Sequence, residues 1–258
     1  MMVERPTKDS KLSKLRYTHI KMTPHVLRNT IYKLEDMERF NDFMLSAIEA
    51  EKKSIKDFHA KESKGMSDDE REYYYEMVSE DYFFVKDFFT EVSLYSFIMI
   101  LYSYLESGLS FLCRVKYSDI IRQHDKDNLK ATDEGRKQKR LNHKQLHEIK
   151  GNGIIHKAKK YLEEILNINF AQVKNEWNEI DGLRKIRNAI VHSSGYFDDR
   201  IIEVCEKTKK LNIIDPVIER NSNDGRIEIT NNGKIIIKQE YTDFILQQSI
   251  RFFKKLEV

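Results

Sequence analysis

The chain has few of the residues that break helices or cross-link a fold. Its 258 residues include only three prolines, nine glycines and two cysteines. Scarce proline and glycine favour a helical protein, and two cysteines are too few for a disulfide framework. Cys113 follows Phe111 and Leu112 in an apolar segment, where a free thiol is expected to pack as a small hydrophobic group.

The sequence also lacks a strong excess of charge and a long apolar run. Because the formal net charge is only +3, the whole protein shows no basic footprint for nucleic acid, and any basic surface must be local. The most apolar run, Tyr95 to Leu105, contains two serines and is followed by Glu106, so it is too short and too polar to span a membrane. No signal peptide is visible. We predict a soluble, cytoplasmic protein with no membrane partner.

Hydrophobic residues make up 40% of the chain, with 14 Phe and 13 Tyr, which is enough for a core. The periodicity predicts a mainly all-α fold, a helical bundle with a small C-terminal β-hairpin and a closing helix. We expect a basic tail at 1–22 and a long helix or helical arm at 23–66, which is kinked or divided after Phe40. The bundle, with its hairpin and last helix, is expected at 67–258. Ser67 with Glu70 is predicted to form a capping box at the start of the next helix. Later predicted segments are helices at 92–114, 154–167, 170–192, 198–210 and 242–256, and strands at 226–230 and 234–238.

Aromatic residues are concentrated between residues 73 and 89, and a core helix explains them better than a base-stacking platform. The next segment, 92–114, is apolar nearly all round, as expected of the most buried helix of a bundle. Glu106 is its exception. A carboxylate there needs a partner, either a nearby Tyr or Lys or an Arg or His of the segment 183–196.

The densest basic cluster comprises Arg136, Lys137, Lys139 and Arg140. It is typical either of a solvated loop or of an arm that binds RNA phosphates, and the same alternatives apply to the basic tail. His143 and His147 are four residues apart but have no clear third ligand, so neither a metal nor a cofactor is predicted.

The most informative stretch is Leu183 to Tyr196, a periodic helix that breaks at Ser193-Ser194-Gly195. Residues four apart share a helix face, so Arg184, Asn188 and His192 form one polar stripe. Arg187 lies about 140° around the axis from His192, and its long side chain is expected to lean back toward the stripe. The residues expected to face the core are Ile186, Ile190, Leu183 and Val191.

The segment Arg187-Asn188-Ala189-Ile190-Val191-His192 resembles the R-x4-H signature of the HEPN superfamily (higher eukaryotes and prokaryotes nucleotide-binding). The resemblance covers the helices around 92–115 and 154–197, and Glu106 is similar to an acidic position on an early helix of many members. It implies a dimeric helical bundle and, in many members, a metal-independent endoribonuclease that acts as a toxin or in antiviral defence. RNA is then the substrate, with an antitoxin or a defence-system component as a further partner. The toxins that are adenylylated have Tyr two residues after the His, whereas this chain has Ser194 there.

RNA can be cut without a metal because its own 2′-hydroxyl is the nucleophile. Histidine suits the proton transfers, since its ordinary pKa is about 6.5, and arginine suits the phosphate as a bidentate cation. His192 is therefore predicted as the acid–base residue, Arg187 as the phosphate binder and Asn188 as the orienting residue, with Arg184 and Glu106 in support. One histidine does not easily serve as both base and acid, so we expect a composite site at a homodimer interface.

The alternative is a non-catalytic dimerisation or partner-binding module with the same fold. In that case His192 would cap the carbonyls at the end of its helix. Arg187 would then pair with an acid such as Glu179 or Asp181.

Overall fold

The computed structural model describes residues 22–127, 145–151, 153–165, 168–205 and 210–256. Helices dominate this part of the chain, and two antiparallel strand pairs lie near its C-terminal end, which confirms the predicted mainly helical fold. The α-helices are α1 Met22–Glu62, α2 Asp68–Phe83, α3 Thr90–Asp127, α4 Gly153–Glu164, α5 Lys174–Ser193, α6 Pro216–Asn223 and α7 Gln239–Leu256. A π-helix spans Phe84–Phe89, and 3₁₀ turns span Leu146–Glu148 and Phe170–Val173. The strands are β1 Ile202–Cys205, β2 Lys210–Ile213, β3 Ile227–Ile229 and β4 Ile235–Ile237.

Helix α3 is at the centre of the core. Its residues Leu101, Leu105 and Leu109 are fully buried, and they belong to one apolar cluster with side chains from α1, α4, α5 and α7. Their spacing of four residues places them on one face of the helix. The N-terminal half of α1 joins the same cluster through Leu27 and Leu34. The boundary at residue 66 between an arm and a bundle therefore remains a prediction.

Helix α3 is not buried all round, although its sequence is apolar all round. Val92, Ile100, Tyr104 and Phe111 are exposed on the side opposite its buried leucines. By length and composition alone, the helical run 68–122 is long and apolar enough to cross a membrane. Half of its most apolar window is buried inside the protein, however, as in the core helix of a soluble protein. The cytoplasmic location remains a prediction.

The aromatic run was predicted to be core, and this prediction is wrong for most of it. Tyr73, Phe84, Phe88 and Phe89 are all exposed, and no residue of the π-helix is buried. A helix that packs on one side buries only one stripe of its residues, so aromatic residues at successive positions such as 82–84 and 88–89 cannot all face inward.

Helix α1 runs without interruption for 41 residues, so it is not divided into two helices after Phe40. The part of α1 after Phe40 is mostly exposed, and Phe40 and Phe58 are themselves exposed. The capping box predicted at the start of the next helix is present, because the Ser67 backbone N–H donates to Glu70 Oε2 at 2.8 Å.

The predicted hairpin is confirmed, with Ile229 paired with Ile235 across a turn that contains Gly233 at φ 82°. The predicted helix 198–210 is wrong, because a turn and strand β1 occupy residues 198–205 and β1 pairs with β2. Alternating β-branched residues such as Ile202 and Val204 suit a strand better than a helix. Helix α6 was not predicted, although Asp215 caps it by accepting from the N–H groups of Val217 and Ile218.

Candidate functional site

Helix α5 presents the residues of the R-x4-H motif. Leu183 and Ile186 are fully buried and Ile190 is half-buried, as predicted. Val191 was expected in the core but is 43% exposed, because it lies on the edge of the helix that faces solvent. The helix ends where the sequence indicated: Ser194 adopts a left-handed conformation at φ 50°, and the Gly195 N–H donates to the Ala189 carbonyl at 2.9 Å.

The predicted polar stripe lines one open cleft. Arg184, Asn188 and His192 all border this cleft, whose volume is about 290 Å³. Its other polar lining residues are Lys185, Ser193, Tyr196, Asp198, Arg200 and Asp215. His192 is exposed, and among the residues that the structure describes none donates to or accepts from its imidazole. The predicted alternative, in which His192 caps its own helix, is therefore not seen.

Arg187 lies between the stripe and helix α3. Its Nη1 donates to Asn188 Oδ1 at 3.1 Å, and its guanidinium carbon lies 5.3 Å from the centre of the Tyr102 ring. The Arg187 Nε is buried without a hydrogen-bond partner in the described part of the chain. The side chain thus reaches the stripe through Asn188, but it does not line the cleft beside His192.

The acids proposed as alternative partners of Arg187 are engaged elsewhere. Glu179 accepts hydrogen bonds from Arg220 and from Asn221 Nδ2. Asp181 accepts from the Nε of Arg184 at 2.8 Å and contacts His156 Nε2 at 3.0 Å.

Glu106 finds the nearby tyrosine that was one of its two predicted partners. The hydroxyl of Tyr102, one turn earlier on α3, donates to the Glu106 carboxylate. Burial, together with the charge and hydrogen bond of Glu106, raises the pKa of Tyr102 to about 12, while Arg184 and Arg187 act in the opposite direction. Glu106 is therefore linked through Tyr102 to the arginines of α5. It also borders a second open cleft, of about 510 Å³, beside Lys33 and Arg114.

Asp181 binds two cations that line the cleft, Arg184 and Lys185. Besides Arg184, it pairs with Lys185 Nζ at 3.4 Å, and Lys185 also pairs with Asp215 at the start of α6. Burial raises the pKa of Asp181, but the hydrogen bond from Arg184 and the charges of both cations outweigh it and lower the pKa overall. Two cations at the cleft are thus neutralised by carboxylates within the protomer.

Sequence reasoning offered Asp181 as a partner of Arg187 and not of Arg184 and Lys185, and it missed Asp215 and His156. The spacing of Asp181 to Arg184 and Lys185, three and four residues, could have indicated intrahelical pairs. His156 on α4 and Asp215 before α6 gave no such signal, because only the fold brings them to α5. Helix α6 approaches closely at Gly182, where a Cβ atom would lie 2.6 Å from Val217 Cγ1.

The remaining sequence predictions concern the basic segments and metal binding. The basic cluster Arg136, Lys137, Lys139 and Arg140 lies outside the described residues, as does most of the basic tail. Within the ranges described, no group of three or more His, Cys, Asp or Glu side chains could hold a metal ion. At the rim of the cleft, Arg200 Nε donates to Asp198 Oδ2 at 3.0 Å.

Comparisons of the chain with models of protein families, with curated proteins and with solved structures gave no match. The resemblance to the HEPN superfamily therefore depends on the motif and on where the fold places it.

Proposed function

We propose that the protein is a metal-independent endoribonuclease, with an active site at the end of α5 that two copies of the chain complete. The observation that carries this proposal is the common cleft of Arg184, Asn188 and His192, to which Arg187 is linked by its hydrogen bond to Asn188. An exposed imidazole beside a guanidinium and an amide supplies the groups that transesterification of RNA requires.

In the proposed reaction, the 2′-oxygen attacks the adjacent phosphorus while a base removes its proton. The bond from phosphorus to the 5′-oxygen breaks, an acid protonates this leaving oxygen, and the products carry a 2′,3′-cyclic phosphate and a 5′-hydroxyl. His192 of one copy acts as the base and His192 of the second copy as the acid. Arg187 stabilises the charge that develops on the phosphate, and Asn188 fixes the direction of the Arg187 guanidinium.

The toxin or antiviral setting, with an antitoxin or a defence-system component as partner, belongs to the same proposal and rests on the family resemblance alone. Glu106 supports the site indirectly, because it binds Tyr102 beneath the Arg187 guanidinium.

The test is cleavage of a mixed RNA pool in EDTA, with the ends of the products analysed chemically. We expect 2′,3′-cyclic phosphate ends from the wild type and no products from Arg187→Ala or His192→Ala. Arg39→Ala and His25→Ala, two exposed residues of α1, are the matched controls and should cleave as the wild type does. Intact RNA in every sample, with cell extract added as a source of activators, would refute the proposal.

A non-catalytic dimerisation or partner-binding module is the second candidate, and one observation favours it. The Arg187 guanidinium stacks on Tyr102 with its Nε buried, as in an arginine that stabilises the fold. In that case Arg187→Ala would lower the melting temperature and weaken self-association, while His192→Ala would behave as the wild type in every assay.

A further inference from the structure

A surface of exposed apolar side chains lies where α1, the π-helix and the start of α3 meet. Four of its residues line one groove of about 220 Å³, and the rings of Phe84 and Phe88 stack beside them with centroids 5.2 Å apart. We call this surface the aromatic face, and it comprises Phe40, Phe84, Phe88, Phe89, Val92 and Ile100.

The local backbone gathers these rings on one side. In a π-helix the hydrogen bonds join residues five apart, so Phe84 lies on the same side as Phe88 and Phe89. The turn continues into α3, where the Thr90 hydroxyl donates to the Val85 carbonyl at 3.2 Å. π-helical turns are rare and often occur at functional positions, and this one displays aromatic rings to solvent.

The area of the aromatic face matches what a stable dimer needs. A phenylalanine ring can bury 150–250 Å², and the rings here are about half exposed, so with Val92 and Ile100 the face offers roughly 500 Å² of apolar surface. A standard interface buries about 800 Å² on each partner, and about 60% of that area is apolar. The face is also as large as the largest apolar patches of typical monomers, which are often functional.

An apolar surface suits a copy of itself, because a twofold interface must be self-complementary and the aromatic face is apolar throughout. The long stretches outside the described residues are poor alternatives as covers, because 1–21 and 128–144 each contain six Lys or Arg residues. Such charged stretches cannot bury several phenylalanine rings without also desolvating cations.

We propose that a second copy of this chain docks on the aromatic face about a twofold axis. This inference deepens the proposed function and rests on it for one point, the need for two copies at the site. Next to the aromatic face in sequence, Glu91 pairs with Lys234 at 2.8 Å and Tyr95 donates to the Ile235 carbonyl at 2.6 Å beside Gly195. The stretch of α3 that carries Val92 therefore also contacts the segment that follows α5.

The test compares four versions of the full chain by sedimentation velocity and light scattering. The wild type should have twice the chain mass of 30.8 kDa. Phe88→Glu should weaken dimerisation by about 30-fold or more, as for a central aromatic anchor, and Phe88→Leu should remain a dimer. Phe58→Glu is the matched control, because Phe58 is 56% exposed and Phe88 is 57% exposed, and Phe58 lies about 27 Å along α1 from Phe40.

Circular dichroism checks that each variant is folded, and Phe89→Glu provides a second variant should Phe88→Glu not fold. A monomeric wild type at 100 µM overturns the inference, as does a Phe88→Glu or Phe89→Glu dimer as tight as the wild type. A monomer that sediments with vesicles of phosphatidylcholine and phosphatidylglycerol also overturns it, since the face would then bind lipid.

The mass measurement needs no RNA, so its outcome is separate from that of the cleavage assay. RNA cleavage by a monomer would overturn the inference and leave an endoribonuclease without a composite site. A dimer that depends on Phe88 but never cleaves RNA would support the inference and refute the proposed activity.

Discussion

The two ends of the polar stripe on α5 differ in how firmly the protein holds them. Arg184 is bound by Asp181, which in turn contacts His156 and Lys185. His192, two turns later, is exposed and borders the cleft without a partner among the described residues. Equivalent positions on one helix face thus have different tasks. The first end connects α5 to α4 and to the start of α6, and the second remains exposed at the cleft.

The largest expected effect separates these ends. His192→Ala should reduce RNA cleavage by about 10²- to 10⁴-fold, the usual contribution of an acid–base residue, and should change the free energy of unfolding by less than about 0.5 kcal/mol. Arg184→Ala should instead lower the free energy of unfolding by about 1 kcal/mol, because Asp181 loses its shortest hydrogen bond. Urea titrations and cleavage rates of both variants check this contrast. It fails if His192→Ala proves to be the less stable variant.

The second effect concerns Asp181, the carboxylate that binds Arg184 at the first end of the stripe. Asp181→Asn should lower the free energy of unfolding by about 2 kcal/mol at neutral pH, because three cationic or basic groups lose their carboxylate. Glu163→Gln is a suitable control, since Glu163 forms only a partly exposed pair with Lys159 across one helical turn. Equal free energies of unfolding for the two variants would show that the hydrogen bonds and ion pairs of Asp181 do not stabilise this end of the stripe.

The same substitution predicts a pH dependence. The pKa of Asp181 is lowered from its ordinary value of 3.8 in the folded protein. The folded state therefore binds this proton less readily than the unfolded state, and the stabilisation is complete above about pH 4 and disappears as the pH falls through the lowered pKa. The difference in unfolding free energy between wild type and Asp181→Asn should be constant from pH 5 to 8 and should shrink below pH 4. A difference that grows on acidification would contradict the assignment.

The smallest effect concerns the connection between α3 and α5. Tyr102→Phe should lower the free energy of unfolding by about 1 kcal/mol, because Glu106 loses a hydrogen bond while the ring beneath Arg187 remains. Cleavage should fall no more than a few fold, whereas Tyr102→Leu, which also removes the ring, should affect both stability and cleavage more strongly. If Tyr102→Phe abolished cleavage, the hydroxyl itself would belong to the reaction, and Glu106 would have a more direct part than we assign to it.

Local signals explain which elements could be predicted. The capping box at Ser67, the hairpin around Gly233 and the break after His192 each depend on a few neighbouring residues, so the sequence predicted them. The strand at Ile202 was mistaken for a helix because a short β-branched run suits either structure until a partner strand is known. The exposure of Phe88 was missed because apolar composition does not show which side of a helix faces the core.

The sequence by itself determined the helical architecture and the spacing of Arg184, Asn188 and His192 on one face, because both follow from the geometry of a single helix. Only the tertiary structure decided which of these side chains interact with other parts of the protein. Asp215 and His156 reach α5 through contacts between elements distant in sequence, and Tyr102 lies under Arg187 for the same reason. Such contacts depend on how whole helices pack, and no local pattern encodes them.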